Sequence, residues 1–497
     1  SIAVCNNRFT VSQQIPAQHR ELMSPCWMMA LLLLTHSEPD PYYRTLMNSH
    51  HAFASRTLLL VTLLVSASLV GCSQRPADEP DASAGQSQSL TQWLDEQYEQ
   101  ELQLSPIGLT FLGRKDRNDE IDELTYEAFA EQLAWKTASV EELRARFDRD
   151  QLTDDERLSY DLWIYQLEEM QATEPFFYDD LVFDQMNGLQ SFVPTFLINF
   201  HHVEDAADML AYIRRVQTVG PRMQDAIANA STGAAKGVVS PSFALEGTIK
   251  QAQSIISGLP FDDSAANDSD LWADMQHEIQ TLLKAGIIDS DTSETLTDQA
   301  RTALTEHLKP AYEDIIEWAE KQKDSAPEVA TGVGYRPGGA AYYEYRLRDQ
   351  TTTDLTADEI HQIGLNEVAR LRKEMEAVKD SVDFDGNLQA FFQHVRDGEW
   401  NYYPDTDEGR QAYIDDATAA IDGIKSELPN YFGLLPKADL VVKRVEPFRE
   451  RDGAAQHYYP GTPDGSRSGT YYAHLSDMSA MPKNQLEVIA YHEGLPG

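Results

Sequence analysis

From residue 90 onward, apolar residues recur with the period of an α-helix, and this pattern restricts the chain to a mainly helical fold. Leu94, Tyr98 and Leu102 are spaced so that they share one helix face. Thr153 and Thr356 each precede a run of acidic residues, which is typical of a helix start. The periodicity predicts helices at 125–134, 139–148, 153–171, 203–229, 242–257, 270–285 and 292–324, and then at 357–380, 387–396, 409–427 and 484–493.

Strand-forming sequence is concentrated late in the chain. Residues 440–445 and 469–475 are rich in Val, Tyr and Thr and are predicted to be strands. Residues 342–348 fit either a strand or a short helix, and residues 176–200 predict turns and short helices. The expected fold is therefore mainly α, a multi-helix architecture with a small β-sheet near the last helix.

Cysteine content and charge exclude several classes of protein. The chain has three cysteines, Cys5, Cys26 and Cys72, so nothing after residue 72 can form a disulfide framework or a cysteine zinc site. The formal net charge is −41, which argues against nucleic acid or an anionic membrane surface as a partner. We interpret the acidic residues as solvated helix faces, because they are spread along the chain.

The N-terminal region has the pattern of a bacterial lipoprotein signal. Residues 1–46 lack periodicity and are interpreted as translated upstream sequence, although a genuine extension is the alternative. Residues 47–71 carry a basic start and an apolar stretch at 58–70, shorter than the about 20 residues of a membrane span. Small residues precede Cys72, which predicts lipidation there; an ordinary signal peptide is the alternative. Ser73 favours the outer membrane, facing the periplasm, and residues 72–90 predict a flexible tether.

The chain closes on a His-Glu pair, His492-Glu493, in the last predicted helix. A helical histidine followed by a glutamate is the front half of a zinc-peptidase pattern, in which imidazole binds zinc and the carboxylate takes a proton from the zinc-bound water. The pair alone is weak, since His277-Glu278 also occurs in an ordinary polar helix. The usual second histidine four residues on is absent, because that position holds Pro496. A favourable histidine at a helix end is the alternative.

The segment before this helix has the composition of a substrate-binding edge. An edge strand at 469–475 could pair with a peptide backbone, and the Gly- and Tyr-rich loop at 458–467 could line a cleft or be a plain surface turn. We therefore expect substrate contacts from Tyr459, Arg467, Tyr471 and Tyr472.

Several segments together resemble the bacterial family known as domain of unknown function 885. They are 237–241, 332–348, 356–365, 464–472 and 491–497. The resemblance covers roughly residues 90–497 and implies a relative of the gluzincin-like metallopeptidases, with α-helices around a deep cleft. A change in composition after about residue 328 separates a helical region at 91–327 from a region at 328–497, which the resemblance implies to be of the catalytic type.

By this resemblance His492 would bind one zinc ion and Glu493 would be the general base. The remaining ligands would follow residue 497, so we expect a C-terminally truncated chain without activity of its own. Peptides would be the substrates, and the N-terminal lipid would attach the protein to the cell envelope. The alternative is a non-catalytic, peptide-binding envelope lipoprotein on a peptidase-like scaffold.

Overall fold

The structure is a computed structural model that describes residues 88–186, 188–445, 450 and 455–494. The helices of its first part are α1 (Leu90–Leu102), α2 (Pro106–Phe111), α3 (Tyr126–Arg146), α4 (Asp154–Thr173), α5 (Leu189–Phe200), α6 (Ala206–Ala235), α7 (Ser242–Ile255), α8 (Asp270–Lys284), α9 (Ser290–Ala303), α10 (Lys309–Lys323) and α11 (Gly339–Thr351). Those of the second part are α12 (Ala357–Ser381), α13 (Leu388–Asp397), α14 (Asp407–Lys425) and α15 (Lys483–Gly494).

Helices α1–α11 form what we call the helical body. Its main core draws buried residues from Phe111 to Ile315, and α5, α6 and α8–α10 supply most of them. A second core joins α1, α3 and α4 around Trp93 and Trp163. Helix α11 packs on this body, because the ring of Tyr345 stacks on Phe176 at a centroid distance of 5.0 Å.

Several helix boundaries differ from the sequence prediction, and α6, for example, runs to Ala235 instead of ending at 229. The split between 134 and 139 is wrong, since α3 runs unbroken through Lys136, whose buried ammonium binds Glu101 and Gln166. The single helix at 292–324 is also wrong, because a π-helical turn at Leu304–Leu308 separates α9 from α10. Pro310 explains the interruption, as it lacks the N–H that a continuous α-helical ladder requires.

Residues 342–348, which fitted either a strand or a short helix, are helical, and the turns and short helices predicted for 176–200 are confirmed. Residues 342–348 lie inside α11, and much of 176–200 is α5, which tolerates Pro194. Both segments carry aromatic residues that pack on the helical body, so tertiary contacts override their weak helical periodicity.

Helices α12–α15 and a small sheet form what we call the C-terminal body. Helices α12 and α13 share one small core. Helices α14 and α15 cover one face of the sheet, and their common core includes Ile421, Tyr471, Leu486 and Ala490. This core draws its buried residues from 403–490 and the main core of the helical body draws its own from 111–315, so the two are separate.

The sheet has three strands, β1 (Leu440–Arg444), β2 (His457–Tyr459) and β3 (Gly469–Ala473), in the order β1-β3-β2. Strand β3 pairs with β1 in parallel and with β2 antiparallel. The predicted strands are confirmed, but the edge position expected for 469–475 is wrong, because β3 is central. Neighbouring strands therefore occupy its backbone hydrogen-bonding groups on both sides.

The mainly helical fold with a small sheet is confirmed. Within the described part of the chain, no helix is both long and apolar enough to span a bilayer. Some predictions lie outside the described residues, namely those for 1–46, 47–71, Cys72, most of the tether and 495–497.

Candidate functional site

Helix α15 carries the His-Glu pair and is fixed at both ends. At its start, the buried Asn401 side chain accepts a hydrogen bond from the Asn484 backbone N–H at 3.2 Å and donates to the Asn484 side chain at 3.0 Å. Asn401 thus acts as a helix cap supplied from a distant segment. At its end, a Cβ on Gly494 would lie 2.8 Å from Leu440 and 3.1 Å from Ile421, so α15 ends tightly against α14 and β1.

The two members of the pair have different environments. His492 is exposed and Glu493 is half-buried. Burial raises the pKa of Glu493 to about 7, because removing water disfavours the charged carboxylate. An exposed imidazole and a carboxyl group that can exchange a proton near neutral pH therefore lie side by side at the end of α15.

Two buried tyrosines lie on the sheet face that α15 covers. The hydroxyls of Tyr413, on α14, and Tyr471, on β3, are 2.9 Å apart. Burial raises the pKa of Tyr413 to about 12 and that of Tyr471 well above its ordinary value, and the charge of Glu493 adds to both effects. Both hydroxyls stay protonated and hold α14 to the sheet beside Glu493.

The opposite sheet face carries an aromatic cluster, because alternate residues of a strand point to opposite sides. The ring of Tyr472 stacks on His457 at 5.3 Å and meets Tyr459 edge-on, also at 5.3 Å. The ring of Tyr459 also packs on the ring of Phe200, at the end of α5, with a centroid distance of 5.1 Å. The ring of His474 lies 5.4 Å from that of His457. This aromatic face is directed toward the helical body.

Arg467 lies where the sheet meets the helical body. Its Nη2 donates to the carbonyl oxygen of Phe111 at 2.8 Å, and the guanidinium lies 5.6 Å from the Phe200 ring centroid. Burial lowers its pKa. The Arg467 side chain therefore connects the C-terminal body to the helical body through a hydrogen bond that it donates.

The four residues expected to contact substrate are divided by the sheet. Tyr459, Tyr472 and Arg467 lie on or beside the aromatic face, whereas Tyr471 lies on the other face with no exposed side-chain surface. Sequence reasoning did not find Asn401 or Tyr413, because each acts through a residue more than fifty positions away.

The described residues do not assemble a zinc site by themselves. No three His, Cys, Asp or Glu side chains among them are close enough to hold one metal ion. His492 has the right chemistry and exposure for one ligand, but a catalytic zinc takes about three protein ligands. The donor set available in the described part of the chain is therefore incomplete.

A mainly helical fold with a His-Glu helix packed on a three-stranded sheet defines the architecture. The chain belongs to the family described as "Bacterial protein of unknown function (DUF885)", which it matches over residues 106–497.

Two similar solved structures are described as putative lipoproteins. The one from Colwellia psychrerythraea has a TM-score of 0.69 and 20% identity, covering 82% of this chain and 71% of that one. The one from Shewanella oneidensis, described as of unknown function, has a TM-score of 0.53 and 16% identity with the same coverage. At these identities the likeness shows a shared fold. No curated protein matches the chain.

Proposed function

We propose that this protein is a peptide hydrolase of the metallopeptidase class, with its site in a zincin-like cleft at the end of α15. The observation that carries the proposal is the pairing of exposed His492 with half-buried Glu493 on a helix that is capped, packed and set against a sheet. Helix position fixes both side chains relative to the sheet, as a catalytic pair requires.

Glu493 is the proposed general base. Its carboxylate takes a proton from the attacking water, and its half-buried position favours the neutral, proton-holding form that follows. His492 is the proposed ligand for a zinc ion, with further ligands from outside the described residues. A bound zinc would make the water a stronger acid and polarise the scissile carbonyl.

The aromatic face is the proposed surface for peptide residues away from the scissile bond, because it lies on the side of the sheet opposite to Tyr471 and Glu493. Tyr459 and Tyr472 offer partly apolar rings with hydroxyl groups, which suit peptide side chains and amides. Arg467 and Tyr471 were expected to contact substrate, and we propose that they support this surface instead. Tyr471 is fully buried against Tyr413, and Arg467 donates to a backbone carbonyl.

A non-catalytic peptide-binding protein is the second candidate. The incomplete donor set among the described residues favours it, because such a protein needs the aromatic face but no metal. It predicts peptide binding without turnover and no metal at His492.

The test measures zinc content and hydrolysis of a fluorogenic peptide mixture by the natural protein. Glu493→Gln should lower kcat/KM by roughly 10²–10⁴-fold with zinc retained, and His492→Gln should lose zinc. Glu278→Gln is the matched control, because His277-Glu278 is the same pair on α8, and it should change neither. Full activity in Glu493→Gln, or zinc removal without loss of activity, refutes the proposal.

The 497-residue chain itself is expected to show no zinc-dependent hydrolysis. One histidine ligand cannot hold a catalytic zinc ion, and the residues that the structure describes bring no three-donor group together. Stoichiometric zinc with metal-dependent turnover by this chain would contradict the expectation.

We also propose that a lipid on Cys72 attaches the protein to the cell envelope, at the periplasmic side of the outer membrane. The lipobox-like sequence before Cys72 and the lipoprotein description of both solved relatives support this location. Wild type should incorporate labelled palmitate and sediment with outer membranes. Cys72→Ser should do neither, and a soluble, unlabelled wild type would overturn the assignment.

A further inference from the structure

Within the described residues, the segment 459–467, which we call the latch, joins the C-terminal body to the helical body. Four contacts join the bodies there. Two are made by Arg467, to the Phe111 carbonyl and to the Phe200 ring. Tyr459 also meets the Phe200 ring, and Thr462 lies close against the segment that follows α2.

The latch is rigid in itself. Thr462 and Arg467 bond across the turn, since the Thr462 N–H donates to the Arg467 carbonyl at 3.0 Å and the Arg467 N–H donates to Thr462 Oγ1 at 2.9 Å. The Asp464 carboxylate accepts from the Ser466 N–H and hydroxyl at 2.9 and 2.7 Å. Gly465 supplies the positive φ of +84° that the turn needs. A preformed turn of this kind can dock or detach as a unit.

The surface that receives the latch is equally specific. Gly113 has a φ of +76°, and a Cβ there would lie 2.7 Å from Thr462 Cγ2. The absence of a side chain at Gly113 therefore lets the latch reach the helical body. Phe111 and Phe200, which Arg467 contacts, themselves pack at a ring distance of 4.5 Å.

Away from the latch, the chain crosses between the bodies through an exposed link. Helix α11 ends at Thr351, α12 begins at Ala357, and every residue from 351 to 356 is exposed. Thr352 takes a positive φ of 52°. The two cores are separate, so releasing the latch would let the C-terminal body turn about residues 352–356 as a hinge.

We propose that the latch is releasable and that its release uncovers the aromatic face of the sheet. Tyr459 belongs to both the latch and the aromatic face, and it packs against the core of the helical body. When the latch is docked, Tyr459 and Phe200 close this side of the sheet; when it is released, peptide reaches Tyr459 and Tyr472. The identity of the ligand rests on the proposed function, whereas the opening motion does not.

A reversible cross-link tests the motion directly. A Cβ at Gly113 would lie 3.7 Å from Thr462 Cβ, within the usual range for a disulfide of about 3.5–4.5 Å. The double variant Gly113→Cys/Thr462→Cys should therefore form a disulfide that closes the latch. A side chain at Gly113 is strained by its positive φ, so wild type and each single variant are measured as controls for that strain. Peptide mapping excludes bonds to the three native cysteines.

Amide hydrogen exchange of residues 106–113 and 459–473 is the first measurement. The reduced double variant should exchange at least tenfold faster there than the oxidised one, because only the reduced form opens. Equal exchange in the two forms would show a static interface and overturn the latch.

Substitution of Arg467 gives a second, independent measurement. Arg467→Gln should speed exchange at 106–113, and Arg467→Lys should restore part of the protection. Arg410→Gln is the matched control, because Arg410 also donates to a backbone carbonyl, that of Leu475 at 2.9 Å, but within the C-terminal body. Unchanged exchange in Arg467→Gln, or equal acceleration in Arg410→Gln, would count against the latch.

Binding of a fluorescein-labelled casein digest then tests what the opening admits. In a Glu493→Gln background, the reduced double variant should bind at least tenfold more tightly than the oxidised one. Equal binding would show that peptide does not enter through the latch. If exchange differs but neither form binds peptide, the motion stands, and both peptide entry and the proposed function fall.

Discussion

The buried pair of His201 and Arg215 makes the helical body sensitive to acid. Arg215 Nη1 donates to His201 Nδ1 at 2.8 Å. Arginine can only donate, so Nδ1 carries no proton and Nε2–H donates to the Asp208 carbonyl at 3.0 Å. Burial, followed by the positive charge of Arg215, lowers the pKa of His201 from 6.5 to about 4.

The size of the effect follows from this shift. Between pH 6.5 and about 4 the unfolded chain protonates this histidine and the folded protein does not, so stability falls as the pH falls. Each pKa unit corresponds to about 1.4 kcal/mol. The free energy of unfolding therefore falls by about 3 kcal/mol in total from this histidine. The loss is absent above pH 7 and complete near pH 4.

The assay compares urea unfolding of wild type and His201→Gln at pH 7.5, 6.5, 5.5 and 4.5. Glutamine keeps one acceptor and one donor but cannot take up a proton. The difference in the free energy of unfolding between the two proteins cancels the contributions of titrating groups that both contain. One of these is Asp274, because burial raises its pKa to about 7. The free energy of unfolding of wild type, relative to that of His201→Gln, should fall by about 1.4 kcal/mol per pH unit below 6.5.

A second readout locates the titration. Imidazole carbon-13 shifts, assigned through His201→Gln, should show one histidine that stays neutral down to about pH 4. A stability difference that is constant with pH, or a His201 signal that titrates near 6.5, would refute the reasoning.

Two stability predictions concern the helical body and its contact with Thr462. Gly113→Ala should cost about 2–4 kcal/mol, from its positive φ and the 2.7 Å approach to Thr462, whereas Gly286→Ala, with φ +71° and open space, should cost about 1 kcal/mol. Thermal unfolding measures both, and equal losses would show that the close approach is unimportant. Arg215→Met should cost about 3 kcal/mol, because it leaves His201 Nδ1 and the Glu120 carbonyl without their donor. A loss below about 1 kcal/mol would mean that water replaces the guanidinium.

The helices were largely predictable because their signals are local. Thr153 and Thr356 form capping boxes with Glu156 and Glu359, as their spacing indicates. The unpredicted continuity of α3 depends on Lys136, whose ammonium is satisfied by distant partners. A lysine in that position cannot be recognised as buried from neighbouring sequence alone.

The arrangement of the sheet and of the candidate site depends on residues that are distant in sequence. Strand identity followed from composition, but the central position of β3 depends on pairing with β1, which lies about 25 residues earlier. The burial of Tyr471 follows from that position and from Tyr413, on another helix. Adjacent Tyr471 and Tyr472 therefore face different surroundings, as alternation requires, although composition alone treats them alike.

The central place of β3 also sets the order in which the chain can assemble. Strands β1 and β2 pair with β3 and not with each other, and β3 is the last of the three to be synthesised. The buried residues of the main core of the helical body end at Ile315. The helical body can therefore fold before β3 is synthesised, while β1 and β2 are still unpaired. Emergence of Gly469–Ala473 then allows both pairings to form, and α15, which is synthesised after β3, packs on the completed sheet.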